Sequence, residues 1–388
     1  MRILTILTYY RPHTSGLTIY AERLAHALAE RGHQLTVFTT QYQNDLPLQE
    51  VHDGVRIVRV PVALRVSKGV IAPTFGHTAT RLVREHDIVQ LHLPQFDAPG
   101  VALRARLMHK PTVLTYHCDL SLPPGVFNIF VNQVVHVMNR MAANLADRIV
   151  TYTQDYADHS DYLSRYTQKL EIIPPPVVLP VPKDGAVQAF AETHHRQDHR
   201  PVIGMAARLA TEKGVEILLN ALPVILKAYP NAQVLFAGQY QDVLGEGDYY
   251  NWLMPTIRKY QQQGHWQFLG VLSPEEMAAF YPNLDVLVVP SLNSTEAFGL
   301  VQIEAMMNGV PCVASALPGV RQPVMTTGMG KVVPIGDADA LAGAILDILE
   351  LPADYRKDPH EIARRFTPQA IAAEYEQLFE KLRQEKAR

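Results

Sequence analysis

Twice along this chain, apolar runs of strand length alternate with amphipathic segments of helix length, and a proline-rich break separates the two series. That alternation is the pattern of parallel α/β sheets, in which each strand leads into a crossover helix. The first series reads as a strand at 3–7, a helix at 18–30 stopped by Gly32, and strands at 35–39, 55–60, 88–92, 112–116 and 148–152. Residues 172–185 hold five prolines and read as a stiff, extended connector. A polar, His-rich stretch at 194–200 precedes the restart: strand 202–206, helix 215–228, strand 233–237, then strands near 267–269, 286–289 and 311–314. The expected fold is therefore α/β, with two Rossmann-like domains at 1–175 and 201–367 joined by a linker at 176–200. Ligands of such sheets bind in crevices at strand ends, so the cleft between the domains is the expected site. A last helix at about 368–385 carries Tyr375, Leu378, Phe379 and Leu382 on one face. That face must dock, and the segment 368–388 is expected to pack back on the first domain.

Length and charge narrow the classes. A chain of 388 residues has two domains as its natural prior. With 47% hydrophobic and 19% charged residues it reads as soluble and globular. A net charge of −3 argues against a nucleic-acid partner bound through bulk charge. The charge is uneven: from Gly54 to Lys110 nine Lys/Arg stand against three Asp/Glu. A local basic surface there is expected to face a phosphate-bearing partner or an anionic membrane. The two cysteines, Cys118 and Cys312, sit in or beside apolar runs and read as buried free thiols in a reducing, cytoplasmic setting. No zinc-type ligand spacing appears. The N-terminal apolar run is too short for a signal peptide and reads as a first strand, and no run reaches the length of a membrane span.

Four segments carry chemistry. The first is Pro290–Glu304, with Glu296 in a turn-forming Asn-Ser-Thr run after a strand and Glu304 inside the helix that Gly299 opens. Phe298, Gly299 and Leu300 present backbone N–H groups at that helix start, a seat for an anion. Two glutamates at this spacing are common by chance, and the plain reading is two solvated carboxylates. The flanking Pro-Ser, Phe-Gly and Ala-Met-Met-x-Gly-x-Pro favour a site. The second is Gly204-Met-Ala-Ala-Arg-Leu-Ala-Thr-Glu-Lys-Gly214, where Arg208 and Lys213 follow a strand and can neutralise a diphosphate. The third is the loop Tyr9–Leu17, where Ser15-Gly16 precedes a helix and lets backbone approach a ligand. The fourth is Thr115–Leu120, where His117 ends a strand; a structural and a site role weigh about equally. His92, at another strand end, reads better as locally bonded.

Together these segments resemble the retaining GT-B glycosyltransferases, the large family that includes bacterial lipid mannosyltransferases, sucrose-phosphate synthases and many polysaccharide-building enzymes. The resemblance runs from Gly16 through Leu24, Leu28, Gly32 and His33 to the last helix; Gly-x-x-x-Arg-Leu-x-x-Glu-Lys-Gly and Glu-x7-Glu are its specific parts. It implies two Rossmann-like domains with parallel sheets facing a central cleft. It further implies a nucleotide-sugar donor (a UDP- or GDP-sugar) as co-substrate, no other cofactor and no metal. Arg208 and Lys213 would then hold the donor diphosphate, Glu304 the ribose hydroxyls, and Glu296 hydroxyls of the transferred sugar beside the Phe298–Leu300 N–H groups. Val271, in Leu269-Gly-Val-Leu272, would lie where backbone reads the base. Ser15 and Gly16 would approach the donor phosphate, and His117 the sugar and acceptor. This chain departs from the family where Ser15-Gly16 stands for a Gly-Gly pair and Pro174-Pro-Pro-Val177 for Asn-Gly-Val-Asp.

The expected acceptor is a hydroxyl of a glycan, glycolipid or lipid-linked carbohydrate. Phe127, Phe130, Val131, Val134, Met138, Met141 and Leu145 share a helical face whose ordinary reading is burial. The sharper reading is peripheral contact with the inner face of an anionic membrane, to which the cation-bearing apolar segment 64–75 would add. Within the same fold, a nucleotide-sugar 2-epimerase or hydrolase is the alternative, and a non-catalytic nucleotide-binding protein is another. A dinucleotide oxidoreductase would want Gly-x-Gly-x-x-Gly after the first strand, and residues 8–17 lack it.

Overall fold

A computed structural model describes residues 1–13, 15–66, 69–119, 126–178, 181–194 and 198–387; the side chains of 66, 126–130 and 387 lie outside that description. Lys68, Leu120 and the side chains of Phe127 and Phe130, used in the sequence analysis, therefore lie outside the described residues. The chain divides into two compact units, 1–176 with 366–388, and 177–365.

The first unit runs β1 (Arg2–Ile6), α1 (Gly16–Glu30), β2 (Gln34–Gln41), β3 (Gln49–His52), β4 (Val55–Pro61), β5 (Leu64–Val66), β6 (Gly69–Ile71), α2 (Phe75–Glu85), β7 (Ile88–Leu93), α3 (Ala98–Leu107), β8 (Thr112–Tyr116), α4 (Val126–Leu145), β9 (Arg148–Thr151), α5 (Gln154–His159) and β10 (Leu170–Ile172). Among the described residues its main sheet has eight strands in the order β10-β9-β8-β7-β1-β2-β4-β3. All neighbours are parallel except β3, which pairs antiparallel with β4 at the edge. The strand order reverses between β1 and β7. Both are buried on both faces, as helices covering a parallel sheet require, and β7 is fully buried along its length.

The second unit runs α6 (Ala186–Thr193), β11 (Val202–Ala206), α7 (Val215–Ala228), β12 (Gln233–Ala237), α8 (Gly247–Gln262), β13 (Trp266–Gly270), α9 (Pro274–Phe280), β14 (Val286–Val289), α10 (Leu300–Met306), β15 (Cys312–Ser315), α11 (Gln322–Thr327), β16 (Gly330–Val333), α12 (Ala338–Glu350) and α13 (Pro359–Phe366), whose last residue falls to the first unit. Among the described residues its six strands are all parallel, in the order β13-β12-β11-β14-β15-β16, so the order reverses between β11 and β14. The core is built from Ile203, Met205, Leu218, Leu222, Val234, Phe236, Val286, Val288 and Ile345, all at most 2% exposed.

The boundaries differ from the sequence reading in two places. Part of the 176–200 connector is helical: α6 packs on α9, and the Asn283 side chain donates to Val187 O (3.0 Å). That segment belongs to the second unit, and residues 366–367 belong to the first. Among the described side chains of α4 the buried positions are Asn139, Ala142 and Ala143, while Val137 and Met141 are 47% exposed. Val131, Val134, Met138 and Leu145 are half-buried, so the apolar stripe lies between core and solvent. Among the described residues, no helix is long and apolar enough to cross a membrane.

The chain ends in α14 (Pro368–Ala387), which packs on α1 in the first unit. Ile371, Ala372, Tyr375 and Phe379 are wholly buried. The Tyr375 hydroxyl meets Tyr20 OH (2.7 Å) and Thr115 Oγ1 (3.0 Å). Thr115 Oγ1 accepts from Gln90 (3.0 Å), and Gln90 Oε1 accepts from Thr5 (3.3 Å). A buried polar group without a partner costs about 1–3 kcal/mol. Tyr375→Phe strands the Tyr20 hydroxyl while keeping ring volume. It should lower the urea midpoint of the first unit by an amount equivalent to about 1–2 kcal/mol, and Tyr375→Ala by more, because a cavity is added.

Candidate functional site

The reversal of strand order between β11 and β14 opens a crevice at their C-terminal ends, where open parallel sheets take ligands. The loop after β11 carries Arg208, turns through a short 3₁₀ segment at Thr211–Lys213, and enters α7 through Gly214. The loop after β14 carries Glu296 and enters α10 through Gly299. Leu292 N–H donates to Glu212 O (2.9 Å) and ties the loops together. Gly214 has φ +66°, and a Cβ there would lie 2.2 Å from Pro290 O. Only glycine satisfies both the left-handed turn and this approach. Gly204 is different: it lies within β11, and its missing side chain is filled by Leu284, so it serves packing.

Lys213 forms an ion pair with Glu296 through Nζ and Oε2, and both side chains are about one-fifth exposed. The other oxygen, Glu296 Oε1, accepts from Gly299 N–H (3.0 Å). Gly299 has φ +77°, and a Cβ there would sit 2.7 Å from Gln302 Nε2. Of the three backbone N–H groups at this helix start, one is therefore held by the glutamate itself. Arg208 is half-exposed and pairs with Glu212 (2.9 Å). Glu304 lies in α10, half-buried, and accepts from Tyr281 OH (2.7 Å). Phe298 is buried and Leu300 half-buried. Val271, just past β13, is 73% exposed. Lys213, Glu296 and Gly299 are thus in direct contact, with Arg208 on the same loop as Lys213 and Glu304 on the helix that Gly299 starts.

Two participants, Tyr281 and Gln302, escaped the sequence analysis, and Glu212 stands there in a motif without a role. Glu212 and Tyr281 hold Arg208 and Glu304. Gln302 is fully buried and donates to Phe298 O (3.0 Å) and Val320 O (2.8 Å), fixing the backbone at the start of α10. Its Oε1 has no partner among the described residues. A glutamine three residues after a helix-opening glycine is the only local signal.

In the first unit, Ser15 caps α1: its hydroxyl accepts from Thr18 N–H (3.3 Å), and Thr18 Oγ1 accepts from Ser15 N–H (2.7 Å). Gly16 follows, and a Cβ there would meet nothing within 4 Å. Packing does not demand glycine at this helix start. His117 sits at the end of β8, 7% exposed, in a buried cluster. Its Nε2 pairs with His92 Nδ1 (2.8 Å), its Nδ1 with Tyr152 OH, and the Tyr20 ring meets it edge-on at 5.0 Å. Both of its nitrogens are thus engaged within the unit. His92, expected to be bonded locally, is instead its partner. Burial pulls the His92 pKa down to about 3 and that of His117 well below its ordinary value, with the neighbouring ring adding to the effect on His117. Both rings are neutral at pH 7. Cys312 is buried and Cys118 half-buried, both as free thiols, and burial pushes the Cys312 pKa up.

Two predictions follow from these geometries. Gly214→Ala should separate the two loops, lowering the thermal midpoint by the equivalent of about 1–3 kcal/mol. Because the His92 and His117 values are depressed in the fold, unfolding takes up protons once pH falls below about 6.5, the unfolded histidine value. Stability of the first unit should therefore be level above that pH and fall below it, by roughly 1.4 kcal/mol per pH unit for each ring. His92→Gln should flatten this slope in urea titrations between pH 7 and 5.

Comparison with known proteins shows what the chain is similar to. The family described as glycosyl transferases group 1 matches residues 187–366, and the glycosyl transferase 4-like domain matches 15–176. The phosphatidyl-myo-inositol mannosyltransferase of Mycolicibacterium smegmatis is 26% identical over 393 residues, covering 98% of this chain and 94% of that protein. Sucrose-phosphate synthase from Thermosynechococcus elongatus superposes with a TM-score of 0.77 at 24% identity over 98% of each chain. Anabaena HepE in complex with UDP-glucose does so with 0.76 at 18% identity, over 98% of this chain and 100% of that one. The chain is a glycosyltransferase of GT-B fold and belongs to the glycosyl transferases group 1 family.

Proposed function

We propose that the protein is a retaining hexosyltransferase that moves a sugar from a UDP- or GDP-sugar to a hydroxyl of a glycan, glycolipid or lipid-linked acceptor. The observation that carries this reading is the Lys213–Glu296–Gly299 arrangement at the ends of the two strands where the order reverses. Breaking the sugar–phosphate bond leaves an oxocarbenium-like sugar and a departing diphosphate. Lys213 and Arg208 neutralise the growing negative charge, and the N–H groups entering α10 add to it. Arg208, itself half-exposed, needs only to leave Glu212 to reach a diphosphate. Glu296, held by Lys213 and by Gly299 N–H, suits a group that grips sugar hydroxyls rather than a glycosidase-type nucleophile. Glu304 takes the ribose hydroxyls, with Tyr281 orienting its carboxylate. Val271, beside the open end of β13, lies along the path of the base. In the first unit, Ser15 and Gly16 approach the donor phosphate. His117 acts there by positioning, as its engaged nitrogens favour.

In this reading the acceptor hydroxyl attacks on the face the diphosphate leaves, and the departing phosphate takes the proton. No dedicated base and no metal is needed. The mannosyltransferase relative is named for a phosphatidyl-inositol, which favours a lipid-linked acceptor. The β5–β6 hairpin supports peripheral membrane contact, with Leu64 57% and Ile71 51% exposed beside exposed Arg65.

The test is a thermal-shift screen against UDP, GDP, ADP and their sugars, since ligands of the native state alone raise its midpoint. One nucleotide should give a selective rise that Lys213→Ala and Arg208→Ala both diminish. Turnover of the matching sugar should fall roughly 10²–10³-fold in Lys213→Ala, and NMR of the product should show the donor's anomeric configuration. Product with the opposite configuration would overturn the retaining mechanism. Sugar release that no acceptor accelerates would point to a hydrolase. Sedimentation with anionic liposomes should weaken in Arg65→Glu.

A further inference from the structure

We propose that the first unit carries an accessory binding site for a zinc-class divalent metal, formed by His26, His52 and Asp53. His26 lies on α1, His52 ends β3, and Asp53 begins the turn into β4. Asp53 (φ +45°) and Gly54 (φ +78°) make the two-residue hairpin turn that right-twisted strands favour. The tip of that turn rests on α1: a Cβ on Gly54 would lie 4.0 Å from Ala29 Cβ, one helical turn from His26. The turn thereby delivers a carboxylate and an imidazole to a second imidazole on the helix.

The ligand atoms of all three residues lie within 4.8 Å of one another. Asp53 Oδ2 is 3.2 Å from His52 Nδ1 and 3.7 Å from His26 Nδ1. Tetrahedral zinc with bonds of about 2.0–2.1 Å holds its ligand atoms roughly 3.3 Å apart, so small rotations close the set. Asp53 is 68% exposed and free to make them. Two imidazoles and a carboxylate suit zinc, nickel or cobalt over magnesium or calcium, which prefer all-oxygen ligands. His26 makes no hydrogen bond among the described residues, and its Nε2 is buried without a partner. Its Nδ1, the nitrogen that faces Asp53, is therefore open to a metal.

Arg11 is the built-in competitor. Its guanidinium hydrogen-bonds His52 Nδ1 and also pairs with Glu22 Oε1 (3.0 Å), one turn before His26 on α1. A metal taking His52 Nδ1 must displace Arg11, which keeps Glu22 as its partner. Removing Arg11 therefore both unblocks the nitrogen and leaves Glu22 uncompensated beside the site, and each change favours a cation.

The experiment is calorimetric titration of the full chain with Zn²⁺ and Ni²⁺, paired with thermal shift before and after EDTA. One equivalent should bind and raise the midpoint reversibly. His26→Gln and Asp53→Asn should each weaken binding at least tenfold, Arg11→Ala should tighten it several-fold, and His77→Gln, at an exposed histidine elsewhere, should leave it unchanged. Asp53→Asn keeps a residue that tolerates positive φ, so its loss of binding cannot be laid to misfolding. Absence of one-equivalent binding, or binding that His26→Gln and Asp53→Asn leave unaltered, overturns the proposal.

Discussion

The second unit depends on one adjacency, the parallel pairing of β11 with β14, which registers Ile203 against Val286 and Gly204 against Leu287. It sends successive crossovers to opposite sides and leaves two loops facing each other at the strand ends. The Leu292–Glu212 backbone bond and the bare face of Gly214 then draw those loops into contact. Lys213 and Glu296 meet as a consequence of backbone geometry. A charge pair assembled in this way is prepositioned, so little reorganisation is spent when a charged ligand replaces one partner.

The first unit solves a different problem. Thr5, Gln90, Thr115, Tyr375 and Tyr20 form a run of hydrogen bonds across the sheet, and His92, His117 and Tyr152 form another at its strand ends. A buried hydrogen-bonded network permits one arrangement where an apolar core permits several, and only His92 Nε2 in these two runs is left without a partner among the described residues. Uncharged histidines suit such a place, because a proton on either ring would have to be held without water.

Much of the strand pattern was legible in the residues. Thr112–Tyr116, Val202–Ala206, Gln233–Ala237 and Val286–Val289 were read to the residue, as was helix Val215–Ala228. Strands buried on both faces write continuous apolar runs, and these are the easiest to find. What escaped is what such runs do not mark. Gln49–His52 is a polar edge strand, held by register with β4 rather than by burial. Helix α6 hides in a proline-rich stretch, where flanking composition outweighs eight residues of ordinary propensity. At the site, Arg208, Lys213, Glu296 and Glu304 stand in local motifs. Tyr281 and Gln302 have roles only through the folded backbone, and His26 with His52 shows no ligand spacing because a hairpin and a helix bring them together.

The docking of α14 on α1 has a consequence for how the protein comes into being. Among the described residues, the Tyr20 hydroxyl, fixed early in the chain, finds its hydrogen-bond partner in Tyr375. A ribosome releases the complete second unit before it releases that tyrosine. The domain written second is thus the first able to finish folding. The domain written first waits, with an apolar face of α1 uncovered, until residues 366–388 are made.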